Sequence, residues 1–308
     1  MLFNNALDMI GNTPLIHLAK VFPGAGRIYG KAEFVQPGGS VKDRAALKII
    51  SGAHERGELE QGQPVVEMTS GNMGAGLAVV CNVFGNPFTA VMSEGNSPAR
   101  VTMLEGVGAN VVLVPQVDGA PGKVTGKDIA AATERAKSLN AEVGGYYVDQ
   151  FNNPASTRAH YSSTGPEIWR DLDGKVSAFV AAAGSGGTFT GTSQFLKEQD
   201  ASVFCAAVEP EGSRILAGEP VTKPQHLLQG TGYGIPLPHW HSELVDDYLA
   251  VTDDEAVEYR DRLARLEGLY VGYSAAANVC AAIKLIESGK LGENPVVVTI
   301  LCDTGLKY

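Results

Sequence analysis

Positive charge is in short supply in this sequence. Its 24 lysines and arginines are outnumbered by 34 aspartates and glutamates, so the net charge is -10 at pH 7. A protein whose main task is to bind nucleic acid needs a basic surface for the phosphates, and no block of lysines and arginines occurs in the chain. The composition therefore argues against nucleic-acid binding as the principal activity.

Cysteine and histidine are also scarce. The four cysteines lie far apart in apolar stretches, at Cys81, Cys205, Cys280 and Cys302, and the six histidines show no ligand spacing. This pattern is typical of buried thiols in a reducing compartment. It argues against a metal site, and we expect none.

Long hydrophobic runs are missing as well. No apolar run reaches the roughly 20 residues that a transmembrane helix needs. The first ten residues, MLFNNALDMI, contain an acid and no basic residue, unlike a signal peptide. We therefore expect a cytoplasmic protein without membrane contact.

What the chain does contain is an alternation of short apolar runs with helix-like segments. The runs include PVVEM, FTAVM and ANVVLV, and later VSAFVAAA, SVFCAAV and PVVVTIL. Continuous apolar strands separated by helices are typical of a parallel sheet covered on both faces. Because 308 residues exceed what one compact core usually supports, we predict an α/β fold with two lobes of twisted, mostly parallel sheet. Ligands in such sheets bind beyond the carboxyl ends of the strands.

A glycine-rich turn, GSGGT, occupies residues 184–188 between a predicted strand and a predicted helix. Its successive backbone N–H groups and the free donors of the helix start suit a phosphate, and Thr188 adds a hydroxyl. The turn is neither a P-loop, because no GK[ST] follows, nor a dinucleotide fingerprint, because its third glycine is misplaced. Taken alone, the segment fits a turn built for packing equally well.

A second turn, TSGN, occupies residues 69–72 at the end of the strand PVVEM. Its two hydroxyls, its amide and its backbone N–H groups suit a carboxylate. Taken alone, however, it is better interpreted as a simple helix N-cap formed by Ser70 or Asn72.

The third candidate is the segment PGGSVKDR, which places Lys42 at the start of a helix. Most lysines are solvated surface residues, but here a rigid Pro-Gly-Gly-Ser turn fixes the approach. The positive end of the helix dipole and any burial favour the neutral amine that a Schiff base needs. A phosphate site, a carboxylate site and such a lysine together fit pyridoxal phosphate acting on an amino acid.

At this point the sequence resembles a known family, the cysteine synthase and cystathionine β-synthase group of pyridoxal-phosphate (PLP) enzymes, which have fold type II, the fold of the tryptophan synthase β-subunit. The resemblance covers nearly the whole chain. Its motifs are, in order, IGNTPLIHL (10–18), PGGSVKDRAA (37–46), TSGNMG (69–74), DQFNNPA (149–155), HYSSTGPEIW (160–169), GSGGTFTG (184–191), EPEGS (209–213), GTGYGIP (230–236), GYSAAA (272–277) and CDTGLKY (302–308).

The resemblance implies a role for each matching residue. Lys42 forms the imine with the cofactor and later takes the Cα proton of the substrate. Asn72 bonds the 3′ oxygen of the cofactor, and Ser274 bonds its pyridine nitrogen. The phosphate is held by Gly184, Ser185, Gly186, Gly187 and Thr188. The substrate carboxylate is received by Thr69, Ser70, Asn72 and Gln150.

Several positions depart from the usual family pattern. Met73 replaces the second threonine of TSGNTG, and GYSAAA keeps Ser274 but replaces the following serine and glycine. SPARV keeps only Arg100 of a charged triplet, and the segment 115–128 looks longer than usual. Tyr233 resembles the cystathionine β-synthase version of its loop. We count Met73 and Tyr233 among the substrate-binding residues and expect these changes to affect the substrate rather than the cofactor.

The function that the resemblance implies is β-replacement on an O-activated serine, most specifically formation of cysteine from O-acetylserine and sulfide. Met73 and Tyr233 leave open homocysteine or an amine as the nucleophile, as well as β-elimination of cysteine. An inactive relative kept only for binding is disfavoured because the cofactor residues are present.

The resemblance also implies an organisation and partners. The smaller lobe is predicted at 45–145, and the larger lobe at 1–44 plus 146–308, with the cofactor in the cleft. We expect a homodimer, and the C-terminal tail of a serine acetyltransferase is a possible partner. No regulatory domain is expected after Tyr308.

Overall fold

The computed structural model of the protein describes residues 2–232 and 237–308. Its strands are, in chain order, β1 (Leu15–His17), β2 (Arg27–Ala32), β3 (Val65–Met68), β4 (Phe88–Ser93), β5 (Asn110–Val114), β6 (Tyr146–Tyr147), β7 (Ala178–Ala182), β8 (Phe204–Pro210), β9 (Asp247–Val251) and β10 (Val296–Leu301).

The helices alternate with these strands. The α-helices are α1 (Lys42–Glu55), α2 (Asn72–Phe84), α3 (Pro98–Gly106), α4 (Gly126–Val143), α5 (Ala155–Ala159), α6 (Gly165–Asp171), α7 (Gly187–Gln199), α8 (Asp253–Arg262) and α9 (Tyr273–Glu287). Short 3₁₀ helices occupy Ala6–Met9, Glu33–Val35, Ser242–Leu244 and Gly305–Lys307, and π-helical turns occupy His160–Thr164 and Leu263–Glu267.

The chain divides into two compact units. The smaller unit comprises Met1–Ile10 and Gln36–Ser156, and the larger unit comprises Gly11–Val35 and Thr157–Tyr308. The smaller unit thus contains the predicted range 45–145 and extends beyond it at both ends. The residues added before position 45 include the first turn of α1, which begins at Lys42.

The smaller unit is built on a four-stranded sheet with the order β5-β4-β3-β6, in which every pair is parallel. Its main core is a cluster of buried apolar side chains that includes Ile49 of α1, Leu77 of α2, Val65 of β3 and Phe88 of β4. Because these strands are apolar on both faces, they need helices on both sides.

The larger unit is built on a six-stranded sheet with the order β1-β2-β10-β7-β8-β9. The β1–β2 pair is antiparallel and the other pairs are parallel. Its core combines strand residues such as Val180, Val208 and Val297 with Ile283 of α9. The predicted α/β fold with mostly parallel sheets flanked by helices is confirmed.

Two helices of the larger unit begin in different ways. Thr252 caps α8, because its hydroxyl accepts from the N–H of Glu255 and the carboxylate of Glu255 accepts from the N–H of Thr252. Gly272 is the N-cap of α9, and Ser274 lies in the first turn of that helix. A Cβ at Gly272 would lie 2.1 Å from Oδ1 of Asp303, so only glycine fits there.

Some negative findings concern the described residues. None of the helices in residues 2–232 and 237–308 is long and apolar enough to cross a membrane. In the same ranges, no group of three or more histidine, cysteine or acidic side chains is placed to hold a metal ion. All four cysteines are free thiols; Cys81, Cys205 and Cys280 are buried, as predicted, and Cys302 is half-buried.

Candidate active site

Lys42 is the first residue of α1, in the smaller unit. Its backbone N–H donates to the hydroxyl of Ser40 at 3.2 Å, which satisfies one of the free donors at the helix start. The side chain is half-buried. The structure therefore places the lysine at the positive end of a 14-residue helix.

Gly38 and Gly39, which precede Lys42, each require glycine for a different structural reason. Gly39 has a φ of 72°, in the left-handed region, and its N–H donates to the carbonyl of Gln36 at 2.8 Å. The N–H of Gly38 donates to the buried carboxylate of Asp43, and a Cβ on Gly38 would lie 2.6 Å from Oδ1 of that residue. One glycine thus makes the turn, and the other admits the carboxylate that ties the turn to α1.

We predict that Gly38→Ala destabilises the protein by about 1–3 kcal/mol, because the added methyl group meets a buried carboxylate that has little room to move. Chemical denaturation followed by circular dichroism measures the change. Gly126→Ala is the matched control, since a Cβ there meets nothing within 4 Å and φ is not positive. Equal stability of the two variants would show that the Gly38–Asp43 contact does not constrain the turn.

The TSGN turn connects β3 to α2 in the smaller unit. Gly71 is the N-cap of α2, without a side-chain cap, and the hydroxyl of Thr69 accepts from the N–H of Gly74 at 3.1 Å. The interpretation of this turn as an N-cap formed by Ser70 or Asn72 is therefore wrong. Thr69 bonds the helix start instead, while Ser70 and Asn72 are half-buried.

Arg100 of α3 reaches the same turn. Its Nη1 donates to the carbonyl of Ser70 at 3.0 Å and to the hydroxyl of Ser70 at 3.1 Å. Because the hydroxyl accepts from a cation, its own proton remains available for an anion, next to a positive charge. Arg100 is the retained charge of SPARV, but no local pattern in the sequence indicates its contact with Ser70, thirty residues away.

Gln150 follows β6 on a constrained turn. Asp149 has a φ of 51°, which is unusual for a residue other than glycine, and its carbonyl accepts from the N–H groups of Asn152 and Asn153. Nε2 of Gln150 lies 3.2 Å from Oε1 of Glu67 and 3.4 Å from the carbonyl of Met68. Since β3 and β6 are parallel neighbours, Gln150 and the TSGN turn share one edge of the sheet.

Three further predictions concern the substrate. Met73 is 4% exposed and packs in the core cluster of the smaller unit, so its contact with substrate stays a prediction. Tyr233 lies outside the described residues. The segment 115–128 folds around Asp128, whose carboxylate accepts from the N–H groups of Val117, Asp118 and Thr125. These bonds hold the pKa of Asp128 well below its usual range.

The turn at 184–188 lies in the larger unit, between β7 and α7. Gly186 is the N-cap of α7, with a φ of 86°. Within the described part of the chain, the backbone N–H groups of residues 185–188 have no hydrogen-bond acceptor. Leu237 and Trp240 pack behind the turn, 3.4–3.5 Å from the position of a Cβ on Gly186. Such a row of free donors at a helix start suits a phosphate.

His160 is a residue of this region that the sequence analysis missed. It is buried, its Nε2 lies 3.1 Å from the hydroxyl oxygen of Thr188, and its Nδ1 lies 2.8 Å from the hydroxyl oxygen of Thr164. The two contacts fix the orientation of both hydroxyls. The motif HYSST was visible in the sequence, but nothing in it indicated a contact with a turn 28 residues away.

Ser274 lies in the first turn of α9, in the larger unit. Its side chain is buried, with 7% of the residue exposed. One turn later, Asn278 accepts from the N–H of Ala182 at 2.8 Å and donates to the carbonyl of Ile300 at 2.8 Å. Asn278 thus ties α9 to the carboxyl ends of β7 and β10, the edge from which the 184–188 turn also starts.

These residues fit the chemical groups of pyridoxal phosphate. The free donors at 185–188 match a dianionic phosphate, the hydroxyl of Ser274 can bond a ring nitrogen, and Lys42 supplies an amine at a helix start. The TSGN turn adds hydroxyl donors beside Arg100 for a carboxylate.

Comparisons with known proteins agree with this fit. A family model described as "Pyridoxal-phosphate dependent enzyme" matches residues 6–303. A cysteine synthase from Staphylococcus aureus is 38% identical over 308 residues, which cover 99% of this chain and 95% of that protein. Among solved structures, an O-ureido-L-serine synthase has a TM-score of 0.91 and 35% identity, over 100% of this chain and 94% of that one. The O-acetylserine sulfhydrylase isoform 3 from Entamoeba histolytica has a TM-score of 0.90 and 34% identity, over 100% of this chain and 90% of that one.

Proposed function

The chain belongs to the family of pyridoxal-phosphate-dependent enzymes, and we propose that it is a cysteine synthase. The reaction is β-replacement on an O-activated L-serine, in which O-acetylserine and sulfide give L-cysteine and acetate. The observation that carries the proposal is the 38% identity to a cysteine synthase over 99% of the chain. The presence of Lys42, Asn72 and Ser274 at the matching positions supports it.

The cofactor contacts are proposed residue by residue. Asn72 would bond the 3′ oxygen of the cofactor, and Ser274 would bond its ring nitrogen. The phosphate would be held by Gly184, Ser185, Gly186, Gly187 and Thr188. When bound, pyridoxal phosphate supplies the electron sink for bond cleavage at the substrate Cα. A hydroxyl does not keep the ring nitrogen protonated as a carboxylate would, so Ser274 favours a milder sink that suits β-elimination over competing reactions.

The protein's own groups handle binding and the proton. Lys42 would hold the cofactor covalently, and its amine would take the proton from the substrate Cα. Thr69, Ser70, Asn72 and Gln150 receive the substrate carboxylate. This assignment is supported by the position of the TSGN turn and Gln150 at one edge of the smaller sheet. The charge of Arg100 next to Ser70 supports it further.

A product assay tests the proposed function. Purified holoprotein is supplied with O-acetylserine together with sulfide, homocysteine or a primary amine, and with cysteine alone. Mass spectrometry then identifies the products. We expect cysteine from O-acetylserine and sulfide as the fastest reaction. Negligible cysteine from this pair, together with turnover of another pair, would overturn the choice of substrates.

A second candidate function keeps the cofactor chemistry and changes the nucleophile. It is favoured by the TM-score of 0.91 to an O-ureido-L-serine synthase and by Met73 in place of the usual threonine. Cystathionine formation from homocysteine and β-elimination of cysteine belong to the same group of alternatives. The product assay above separates all of them.

We predict that Arg100→Met raises the KM for O-acetylserine about tenfold and leaves kcat within about twofold. A hydrogen bond to a charged group contributes about 1.5–3 kcal/mol, and here it orients the substrate-binding hydroxyl rather than the reacting atoms. Steady-state kinetics measures both constants. Arg135→Met is the control, because Arg135 pairs with Glu142 on the exposed side of α4. A fall in kcat with an unchanged KM would contradict the role assigned to Arg100.

The assembly and its partner are also proposals. By its resemblance to the family, the chain forms a homodimer in the cytoplasm and accepts the C-terminal tail of a serine acetyltransferase. Light scattering after gel filtration tests the dimer. Competition between a tail peptide and O-acetylserine tests the partner.

A further inference from the structure

Glu67 is a buried acid at the end of β3. It is 2% exposed, its Oε1 lies 3.2 Å from Nε2 of Gln150, and its Oε2 has no hydrogen-bond partner among the described residues. An ionised carboxylate with one unsatisfied oxygen is costly in such a place. The neutral carboxyl is the form that this environment favours.

The charged group that couples to Glu67 is another acid, Asp149. The partner of Glu67 on β4 in the sheet is Ala90. The cations on the helices packed against this sheet are engaged elsewhere: Lys127, Arg135 and Lys137 of α4 pair with exposed acids, and Arg100 of α3 donates to Ser70. Burial raises the pKa of Glu67 to about 8, although the hydrogen bond from Gln150 and the backbone groups of Asp149 and Gln150 lower it.

The contact with Gln150 links this acid to the proposed substrate site. The amide of Gln150 has two hydrogens on Nε2, and Oε1 of Glu67 orients one of them. The other hydrogen has only the long 3.4 Å contact with the carbonyl of Met68, which the carboxylate of an amino acid can replace. An ionised Glu67 would add a negative charge next to that carboxylate and repel it.

We propose that Glu67 is a positioning residue for the amino-acid substrate: its neutral carboxyl orients the amide of Gln150, and its ionisation weakens binding of the substrate carboxylate. The inference rests on the proposed function and extends it to a residue that does not itself touch the substrate. It assigns pH control of substrate affinity to the smaller unit.

Substrate affinity as a function of pH tests this role. The KM for O-acetylserine is measured from initial rates between pH 6.5 and 9.5, at saturating sulfide, for the wild type and for Glu67→Gln. Above pH 8 the KM of the wild type should rise by a factor at least about fivefold larger than that of the variant. The reason is that ionisation of Glu67 weakens substrate binding in the wild type alone. The kcat ratio of the two proteins should stay constant. The affinity for L-alanine, which has no leaving group, is followed by visible absorbance and should show the same difference.

A control and a second readout keep the test decisive. Glu209→Gln replaces another buried acid, whose carboxylate accepts from the N–H groups of Leu216 and Ala217, and it should keep the wild-type pH profile of the KM.

The raised pKa of Glu67 also means that its neutral form stabilises the fold below pH 4.5 and that this stability is lost as the pH rises to about 8. The melting temperature of Glu67→Gln relative to wild type should therefore increase across this window.

The outcomes are distinct. A high-pH rise in KM that persists in Glu67→Gln, or a melting-temperature difference independent of pH, overturns the proposal. If Glu67→Gln does not fold, Glu67→Leu serves instead, with a raised KM that no longer depends on this ionisation. If the wild type makes no cysteine, the proposed function fails, while alanine binding and the melting temperatures still test Glu67.

Discussion

Lys42→Ala should lose at least about a thousandfold in the rate of cysteine formation, because the role proposed for Lys42 combines the covalent attachment of the cofactor with the transfer of the Cα proton. The visible absorbance band of the holoprotein should disappear as well. Single-turnover kinetics with O-acetylserine measures the first effect, and an absorbance spectrum of the purified variant measures the second.

The matched control for this variant lies on the same helix. Lys48 is exposed on α1, six residues after Lys42. Lys48→Ala should keep both the band and the rate of the wild type. A Lys42→Ala variant that keeps the band and more than about a tenth of the rate would contradict the role of Lys42, since proton transfer alone is worth about 100- to 10,000-fold.

The second large effect is expected at Gly186. Its φ of 86° lies in the left-handed region at the N-cap of α7, and an L-residue in that conformation costs about 1–2 kcal/mol. Gly186→Ala either bears this strain or reshapes the turn. We expect the affinity for pyridoxal phosphate to fall about 10- to 100-fold, as for the loss of one or two hydrogen bonds to a charged group.

Gly289→Ala separates the loss of cofactor from general strain. Gly289 has a comparable φ of 74°, and a Cβ there meets nothing within 4 Å. Both variants should lose similar stability as apoproteins, while only Gly186→Ala should lose cofactor affinity in equilibrium titrations. Equal affinities in the two variants would rule out the 184–188 turn as the phosphate site.

The sequence predicted the strands that are continuous apolar runs, and it missed the others for physical reasons. β2, RIYGKA, contains Lys31, which is fully buried because it pairs with Glu167 at 2.9 Å and donates to the carbonyl of Thr13 at 2.6 Å. A partner 136 residues away leaves no local signal. β1 has three residues, and β9, DYLAV, is a half-buried edge strand.

The features of the candidate site were likewise predictable only where they depend on residues close in sequence. The position of Lys42 after a glycine turn could be predicted, because the turn and the helix start are adjacent in the chain. The contacts of Arg100 with Ser70, of Glu67 with Gln150 and of His160 with Thr188 could not, because the sheets bring these residues together across 28 to 83 positions. The individual cofactor contacts came from family resemblance rather than from any local pattern.

The most direct test of the account is to find which residue carries the cofactor. The holoprotein is reduced with borohydride, digested and analysed by mass spectrometry. The account predicts that the pyridoxyl-phosphate mass is attached to Lys42. Attachment to a different lysine, or no attachment in a protein that shows the visible band, would contradict it.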